Sequence, residues 1–186
     1  VDSSLSFMVG EFIEEWGDAD SGYVVDESVE GDAQVDAERF GEMLDRAEDD
    51  GVKTLIIGTA FGLASCLKRT GRKWDLPAGS QVIETGGFKG HHRELSRDEL
   101  YNWFDDRLGL AGGDRMSEYS MTELSSQAYT PWRLAARREE FQLVVEEPST
   151  ARVFWPPPWA RIELRDARTL EPVGSTARPP AAGNRV

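Results

Sequence analysis

The stretch TGGFKG at residues 85–90 combines three glycines with a lysine. Glycines such as Gly86 and Gly87 let the main chain come close to a ligand and adopt positive φ angles, and Lys89 adds a mobile positive charge. The spacing is not that of a GxxxxGK[ST] phosphate loop. The stretch therefore indicates either an anion site or a strand-to-helix connection that needs glycine for its geometry.

The stretch YSMTE at residues 119–123 carries three side chains that suit a phosphate, a metal ion and a flat ring. Glu123 offers carboxylate oxygens to a hard cation, and magnesium usually takes only one or two protein carboxylates. Thr122 offers a hydroxyl group to a phosphate, and Tyr119 offers a ring face on which a base could stack. The alternative is a strand that ends in ordinary surface polar groups.

His91 and His92 are the only histidines, and Cys66 is the only cysteine. Adjacent residues on a strand point to opposite faces, so the two histidines are poorly placed to chelate one metal ion. We expect one of them at the surface, and the other is a candidate for lining a pocket. A single cysteine excludes an internal disulfide and a multi-cysteine zinc site, and Cys66 is expected to be a buried, inert thiol in a helix.

The elements that must position these residues alternate between helix and strand, which is typical of an α/β fold with a mostly parallel sheet. Predicted strands end at both stretches, and a third strand ends in GTAFG at residues 58–62. Ligands bind outside the carboxyl ends of such strands, so we expect the three ends to line one cavity. The predicted helices are SFMVGEFIEEWGD, DAERFGEMLDRAEDDG, GLASCLKRTGRKWDLP and SRDELYNWFDDRLGL. The last of them should begin with a capping box formed by Ser96 and Glu99. The predicted strands are VKTLIIGTAF, which we expect to be buried, SQVIETGG and DRMSEYSMTE.

Composition and charge argue against two classes of protein, those that span a membrane and those that bind nucleic acid through a basic face. The 186 residues are 39% hydrophobic, enough for one domain with a core, and no apolar run reaches the roughly 18 residues of a membrane span. Residues 1–50 hold 17 acidic and two basic side chains, whereas the rest of the chain holds 17 and 19. A basic face for nucleic acid is therefore not expected, and the acidic segment is either a solvated face or a docking surface. Without a signal-peptide pattern, we expect a cytoplasmic protein.

The chain divides into three parts. Residues 1–50 should be an acidic helical segment of the same domain, residues 51–173 the α/β core, and residues 174–186 a disordered tail rich in proline and small residues. Within the core, ARVFWPPPWARIELRDARTLEPV predicts a proline stop followed by a β-hairpin, with Ile162 and Leu164 on one face of its first strand.

The motifs taken together resemble those of the bacterial acyl-protein synthetases, the fatty-acid-activating component of the luminescence fatty acid reductase, also called long-chain-fatty-acid–luciferin-component ligases. The resemblance covers roughly residues 52–173, in the family's order and spacing. That family is similar to the adenylate-forming acyl ligases, so the resemblance implies a piece of their fold, with a mostly parallel sheet, flanking helices and a C-terminal β-hairpin. The motifs are LIIGTAF, ETGGFKG, SRDELY, EYSMTELSSQAY and PPPWARIELRDARTLEPV.

The resemblance implies roles for the YSMTE stretch. Tyr119 would stack on adenine, Thr122 would contact the α-phosphate or the carboxylate under attack, and Glu123 would bind Mg²⁺. Ser120 would belong to the same nucleotide-binding segment, at the position where adenylate-forming enzymes usually have glycine.

The glycine-rich stretch would form the wall between adenine and the acyl group through Gly86, Gly87 and Phe88, with Lys89 as a neutralising cation. The implied reaction is attack of a fatty-acid carboxylate on the α-phosphate of ATP, which gives an acyl-adenylate and pyrophosphate. The acyl group would then pass to a protein cysteine and on to a reductase or acyltransferase partner. Such a reaction needs charge neutralisation and in-line placement more than acid–base groups.

Several family features have no match in the sequence: the Ser/Thr/Gly-rich phosphate loop, the ribose-binding aspartate, the catalytic lysine and the acyl-accepting cysteine, which Cys66 does not match. We therefore expect a fragment or truncated form whose adenylation activity alone is weak or absent. Two alternatives stay open. One is a non-catalytic nucleotide- or acyl-binding module with the same fold, and the other is an interaction domain whose acidic segment docks to a partner.

Overall fold

The computed structural model describes residues 4–26, 34–86, 95–110, 114–121, 126–130 and 165–172. These residues form a four-stranded sheet with flanking helices and a separate two-stranded ladder, so the predicted α/β class is confirmed. The helices are α1 (Ser4–Trp16), α2 (Ala37–Asp49), α3 (Ala60–Thr70) and α4 (Arg97–Leu108); the strands are β1 (Val25–Asp26), β2 (Gln34–Val35), β3 (Leu55–Thr59), β4 (Gln81–Thr85), β5 (Arg115–Met121) and β6 (Ser126–Tyr129).

The main sheet has the order β3–β4–β5–β6, in which the first three strands are parallel and β6 is antiparallel to β5. Helices α3 and α4 each connect two parallel neighbours, because parallel strands need a crossover connection. The sequence predicts a loop where β6 lies. That strand was missed because SQAY is short and largely polar, and it is held by its hairpin with β5 and not by an apolar pattern of its own.

Capping residues fix where the helices next to the sheet begin and end. The hydroxyl of Thr59 accepts a hydrogen bond from the amide of Gly62 at 3.1 Å, and α3 ends at Gly71, whose φ of 61° lies in the left-handed region. At the start of α4 the predicted capping box is confirmed. Ser96 Oγ accepts from the Glu99 amide at 3.2 Å, and the Ser96 amide donates to the Glu99 carboxylate at 2.8 Å.

The hydrophobic core lies between one face of the sheet and the helices α2, α3 and α4. Ile56 and Val82 contribute from the sheet, and Leu67 and Phe104 contribute from the helices. The prediction of a buried first strand is only partly right, since Ile56 is buried but Leu55 is 47% exposed. The reason is that side chains alternate along a strand, so Ile56 faces the core on the same side as Val82 and Leu55 lies on the opposite face.

Helix α1 contacts the sheet from the other side. The amide of Gln127 in β6 donates to the sulfur of Met8 at 3.2 Å, and Gln127 alternates along β6 with the buried Ala128. None of the helices that the structure describes is long and apolar enough to cross a membrane.

Near the C-terminus, Arg165 and Pro172 form an isolated antiparallel bridge around a turn at residues 167–169. Ile162 and Leu164 lie outside the described residues, so the C-terminal hairpin stays a prediction.

Candidate functional site

The carboxyl ends of the three parallel strands meet at one edge of the sheet. Thr59, the last residue of β3, pairs with Thr85, the last residue of β4, and Thr85 pairs with Glu118 of β5. Strand β5 continues for three residues beyond that level, to Met121. The three strand ends that the sequence singles out therefore lie side by side, as the parallel topology requires.

One face of this edge carries a row of polar side chains: Thr85, Glu118 and Tyr129, which the register places next to one another. Glu118 is only 6% exposed, and its Oε2 accepts a hydrogen bond from Thr85 Oγ1. Burial, and then the negative charge of Glu118, raise the pKa of Tyr129. Its hydroxyl donates to Gln127 Oε1 at 3.1 Å within β6, so the side-chain hydrogen bond from Thr85 to Glu118 joins β4 to β5 and Tyr129 lies beside that pair.

The opposite face of the same edge carries an ion pair whose carboxylate is buried and whose arginine is partly exposed. Glu84, the penultimate residue of β4, is fully buried. Its Oε1 accepts hydrogen bonds from Arg97 Nε at 3.0 Å and from the Tyr101 hydroxyl at 3.3 Å. Burial, followed by the charge of Glu84, raises the pKa of Tyr101 to about 12. Tyr101 therefore stays a neutral hydrogen-bond donor over the physiological pH range.

Arg115, at the start of β5, braces this group from the neighbouring strand. Its guanidinium lies 5.0 Å from the centre of the Tyr101 ring and donates to the Tyr101 carbonyl oxygen at 3.1 Å. The same group forms an ion pair with Asp105 at 2.7 Å. Polar contacts thus join α4 to both β4 and β5 just below the carboxyl edge.

Three of the predicted ligand-binding residues lie at this edge: Gly86, Tyr119 and Ser120. Gly86 has φ of 69°, the conformation expected of a glycine in this stretch, and among the described residues, its chain neighbours aside, no heavy atom lies within 4 Å of a Cβ placed there. Tyr119 is 46% exposed. Thr85, the last residue of β4, pairs with Glu118 of β5, so Gly86 and Tyr119 each follow directly after this pair. The backbone of Ser120 pairs with Gln127.

The remaining predicted site residues fall outside the described part of the chain, and so do the two histidines. They are Gly87, Phe88, Lys89, His91, His92, Thr122 and Glu123.

The sequence motifs do not single out Glu84, Arg97 or Glu118. A signal for Glu84 is present in the segment VIET, because Val82, two residues earlier on the same strand face, lies in the core. A carboxylate at a core-facing position needs a buried partner, and this requirement could have directed attention to the start of the following helix.

Cys66 lies in α3, away from the edge, and is buried, as predicted. Burial raises the pKa of its thiol to about 12, with Asp36 adding to the effect and Arg69 opposing it. Such a thiol does not ionise near neutral pH and is a poor nucleophile.

Two cavities among the described residues lie elsewhere. An apolar groove of about 400 Å³ runs beside β3 between α1 and α2, with Phe12, Met43 and Ile57 among its walls. A polar hollow of about 490 Å³ includes Asp36 and Arg39. Neither contains a predicted site residue. In the part of the chain that the structure describes, no group of three or more His, Cys, Asp or Glu side chains is placed to hold a metal ion.

Comparison of the chain with protein-family models, with curated proteins and with solved structures finds no match. The resemblance to acyl-protein synthetases therefore stays a prediction from the sequence motifs.

Proposed function

We propose that the chain carries the acyl-adenylate site of a ligase that activates a fatty acid with ATP and Mg²⁺ for transfer to a protein thiol. The observation that carries the proposal is the register of the parallel strands, which places Gly86 and Tyr119 directly after one backbone pair at the sheet edge. The motifs around these two residues are those that resemble the acyl-protein synthetases.

In the proposed reaction, a carboxylate oxygen of the fatty acid attacks the α-phosphorus of ATP. The bond from that phosphorus to the bridging oxygen breaks, and pyrophosphate leaves with the electron pair. Both reactants are anions, so the protein's task is to neutralise charge and align the two groups. Glu123 would hold Mg²⁺, which supplies most of that neutralisation, while Lys89 and Thr122 would contact the phosphate oxygens.

Two features of the described residues support a nucleotide at this edge. Thr85 pairs with Glu118, and adjacent strands lie about 4.8 Å apart, so Gly86 and Tyr119 follow directly after two neighbouring backbone positions, from which they could contact one planar base. Tyr119 is 46% exposed, which leaves ring surface for stacking, and no atom of the described residues other than its chain neighbours would contact a Cβ at Gly86.

The test is isothermal titration calorimetry of the full chain with a non-hydrolysable acyl-adenylate analogue, an acyl sulfamate of adenosine with a fatty acyl chain. Stacking contributes about 1–3 kcal/mol per base, so Tyr119→Ala should raise Kd by about 5- to 150-fold. Tyr119→Phe keeps the ring and should bind nearly as well as wild type. The matched control is Phe7→Ala, which removes an aromatic side chain 70% exposed on α1 and should leave Kd unchanged.

The role of Glu123 separates an enzyme site from a non-catalytic module. If Glu123 holds the metal, Mg²⁺ should tighten binding of ATP to wild type but not to Glu123→Gln. Analogue binding that is indifferent to both Mg²⁺ and this substitution would favour the non-catalytic module. Absence of analogue binding to wild type at millimolar concentration contradicts both and leaves the interaction domain.

A further inference from the structure

The apolar groove beside β3 runs along the outer side of that strand, which is the last strand on one side of the described sheet. We propose that this groove binds an extended segment of a partner protein, apolar in its centre and basic at its ends, which pairs with β3 as a further strand. The proposal is independent of the proposed ligase activity, because the groove contains none of the residues assigned to the nucleotide site.

The backbone of β3 has one side that no strand among the described residues pairs with. Leu55 pairs with Gln81, and the Gln81 amide donates to the Thr54 carbonyl oxygen at 2.8 Å. In a parallel ladder, alternate residues direct their N–H and C=O groups to the same neighbour. Ile56 therefore directs these groups to β4, whereas Leu55 and Ile57 direct theirs to the groove. Outward-facing backbone groups of this kind are those with which an added strand pairs.

Helices on both faces of the sheet form the walls of the groove. Phe12 and Trp16 contribute from α1, and Phe40 and Met43 contribute from α2. The ring centres of Phe12 and Trp16 lie 5.0 Å apart, and Trp16 is 71% exposed. A strand beside β3 would thus meet apolar side chains on both of its faces, as a buried strand of an α/β sheet does. Exposed apolar surface that includes tryptophan is also typical of protein-binding sites.

The sequence of β3 lacks the features by which natural proteins protect a strand at the side of a sheet. Such strands usually carry charged residues or proline, which prevent pairing with other chains. Leu55–Thr59 reads LIIGT and contains neither, and Leu55 is 47% exposed. The composition of β3 therefore favours a strand that takes a partner.

Charge distinguishes a basic partner from a second copy of this chain. The groove shares Asp20 and Arg46 with the polar hollow, so the two cavities are continuous. Together they are lined by six acidic and three basic side chains, within a segment, residues 1–50, that holds 17 acidic and two basic side chains. A second copy would bring the same acidic surface to the groove, and like charges in an interface are unfavourable. A segment with lysine or arginine at its ends has the complementary charge. The six acidic side chains are Asp18, Asp20, Asp36, Glu38, Glu42 and Asp50.

The first experiment measures amide hydrogen exchange in the full chain by NMR. In the free protein, the amides of Leu55 and Ile57 should exchange at least about 100-fold faster than those of Ile56 and Gly58, which are directed to β4. Equal protection of all four amides would mean that another part of this chain already pairs with β3, and it would overturn the proposal. A bound peptide should slow the exchange of Leu55 and Ile57, and unchanged exchange in the bound state would also overturn it.

The second experiment measures binding of the fluorescein-labelled peptide KKVTVIVKK by fluorescence anisotropy, at an ionic strength of about 0.02 M, where screening is weak. Trp16→Ala should raise Kd by about tenfold or more, because tryptophan side chains often dominate interfaces. Leu55→Lys should raise Kd by a similar factor, since it puts a positive charge beside a basic peptide. Both side chains are exposed, so both variants should fold. The control Phe7→Ala removes an aromatic side chain that is 70% exposed on α1 outside the groove, and it should leave Kd unchanged.

Modified peptides test the strand and the charge separately. In a paired strand only alternate amides face the neighbour, so N-methylation of one alternate set should raise Kd by about tenfold or more. Methylation of the other set should change Kd by less than about twofold, and equal effects of the two sets overturn strand pairing. The peptide EEVTVIVEE should bind at least about tenfold more weakly than KKVTVIVKK, and equal or tighter binding overturns the basic partner.

Three other results would overturn the proposal. The first is no saturable binding of KKVTVIVKK to wild type at about 1 mM. The second is an equal Kd for Trp16→Ala and Phe7→Ala. The third is a wild-type dimer, detected by light scattering, that Leu55→Lys abolishes, because that result would place a second copy on β3. The outcome does not affect the proposed function, which depends on binding of the acyl-adenylate analogue at the carboxyl ends of the strands.

Discussion

Alkylation of Cys66 is expected to be at least about 1000-fold slower in the folded protein than in the unfolded chain at pH 8. The reacting species is the thiolate, and burial raises the pKa of Cys66 from 9.0 to about 12. At pH 8 the ionised fraction thus falls from about 10% to about 0.01%. Because the side chain is only 1% exposed, exclusion of the reagent slows the reaction further.

The assay is iodoacetamide labelling, followed by mass spectrometry, with and without 6 M guanidinium chloride as the denaturing condition. Cys66 is the only cysteine, so the intact mass reports on this thiol alone, and Cys66→Ala is the blank. Labelling of the native protein less than about tenfold slower than of the unfolded chain would contradict the burial and the raised pKa. The result also bears on function, because an unreactive Cys66 is not the thiol that accepts the acyl group.

Three further predictions concern stability. Phe104 is completely buried in the core, so Phe104→Ala should lower the free energy of unfolding by about 3–5 kcal/mol in urea titrations. The control Phe7→Ala should change the free energy of unfolding by less than about 0.5 kcal/mol. Equal effects of the two substitutions would contradict the assignment of Phe104 to the core. Ser96→Ala removes the cap of α4 and should cost about 1 kcal/mol, and no loss would contradict the capping box. The pKa of Tyr101 is raised to about 12 from an ordinary value of 10, so its contribution to stability is fully present below pH 10 and is lost as the pH rises towards 12. The decline in the urea midpoint between pH 9 and pH 11.5 should therefore be smaller in Tyr101→Phe than in wild type. An identical decline in the two proteins would contradict the raised pKa.

The sequence predicts the local architecture well where a local rule decides it. Ser96 and Glu99 have the spacing of a capping box, and the structure contains both of its hydrogen bonds. Gly71 ends α3 in the left-handed conformation that glycine adopts most easily. Parallel topology also follows from the alternation of helix and strand, and it brings the three strand ends together.

The sequence does not predict features that depend on partners distant along the chain. Glu118 and Thr85 are 33 residues apart, and nothing in either segment indicates their hydrogen bond. The exposure of Leu55 depends on which face of the sheet the core helices cover, since the apolar run LII fits a strand buried on both faces equally well. Strand β6 likewise depends on pairing with β5 and not on its own composition.

The central claim is that a nucleotide joined to an acyl chain binds where β4 and β5 end. The most direct measurement is calorimetric titration of wild type, Tyr119→Ala and Phe7→Ala with the acyl sulfamate of adenosine. We predict saturable binding to wild type and to Phe7→Ala, with Kd raised about 5- to 150-fold in Tyr119→Ala. Equal Kd values for all three proteins, or no binding to wild type, would contradict the claim.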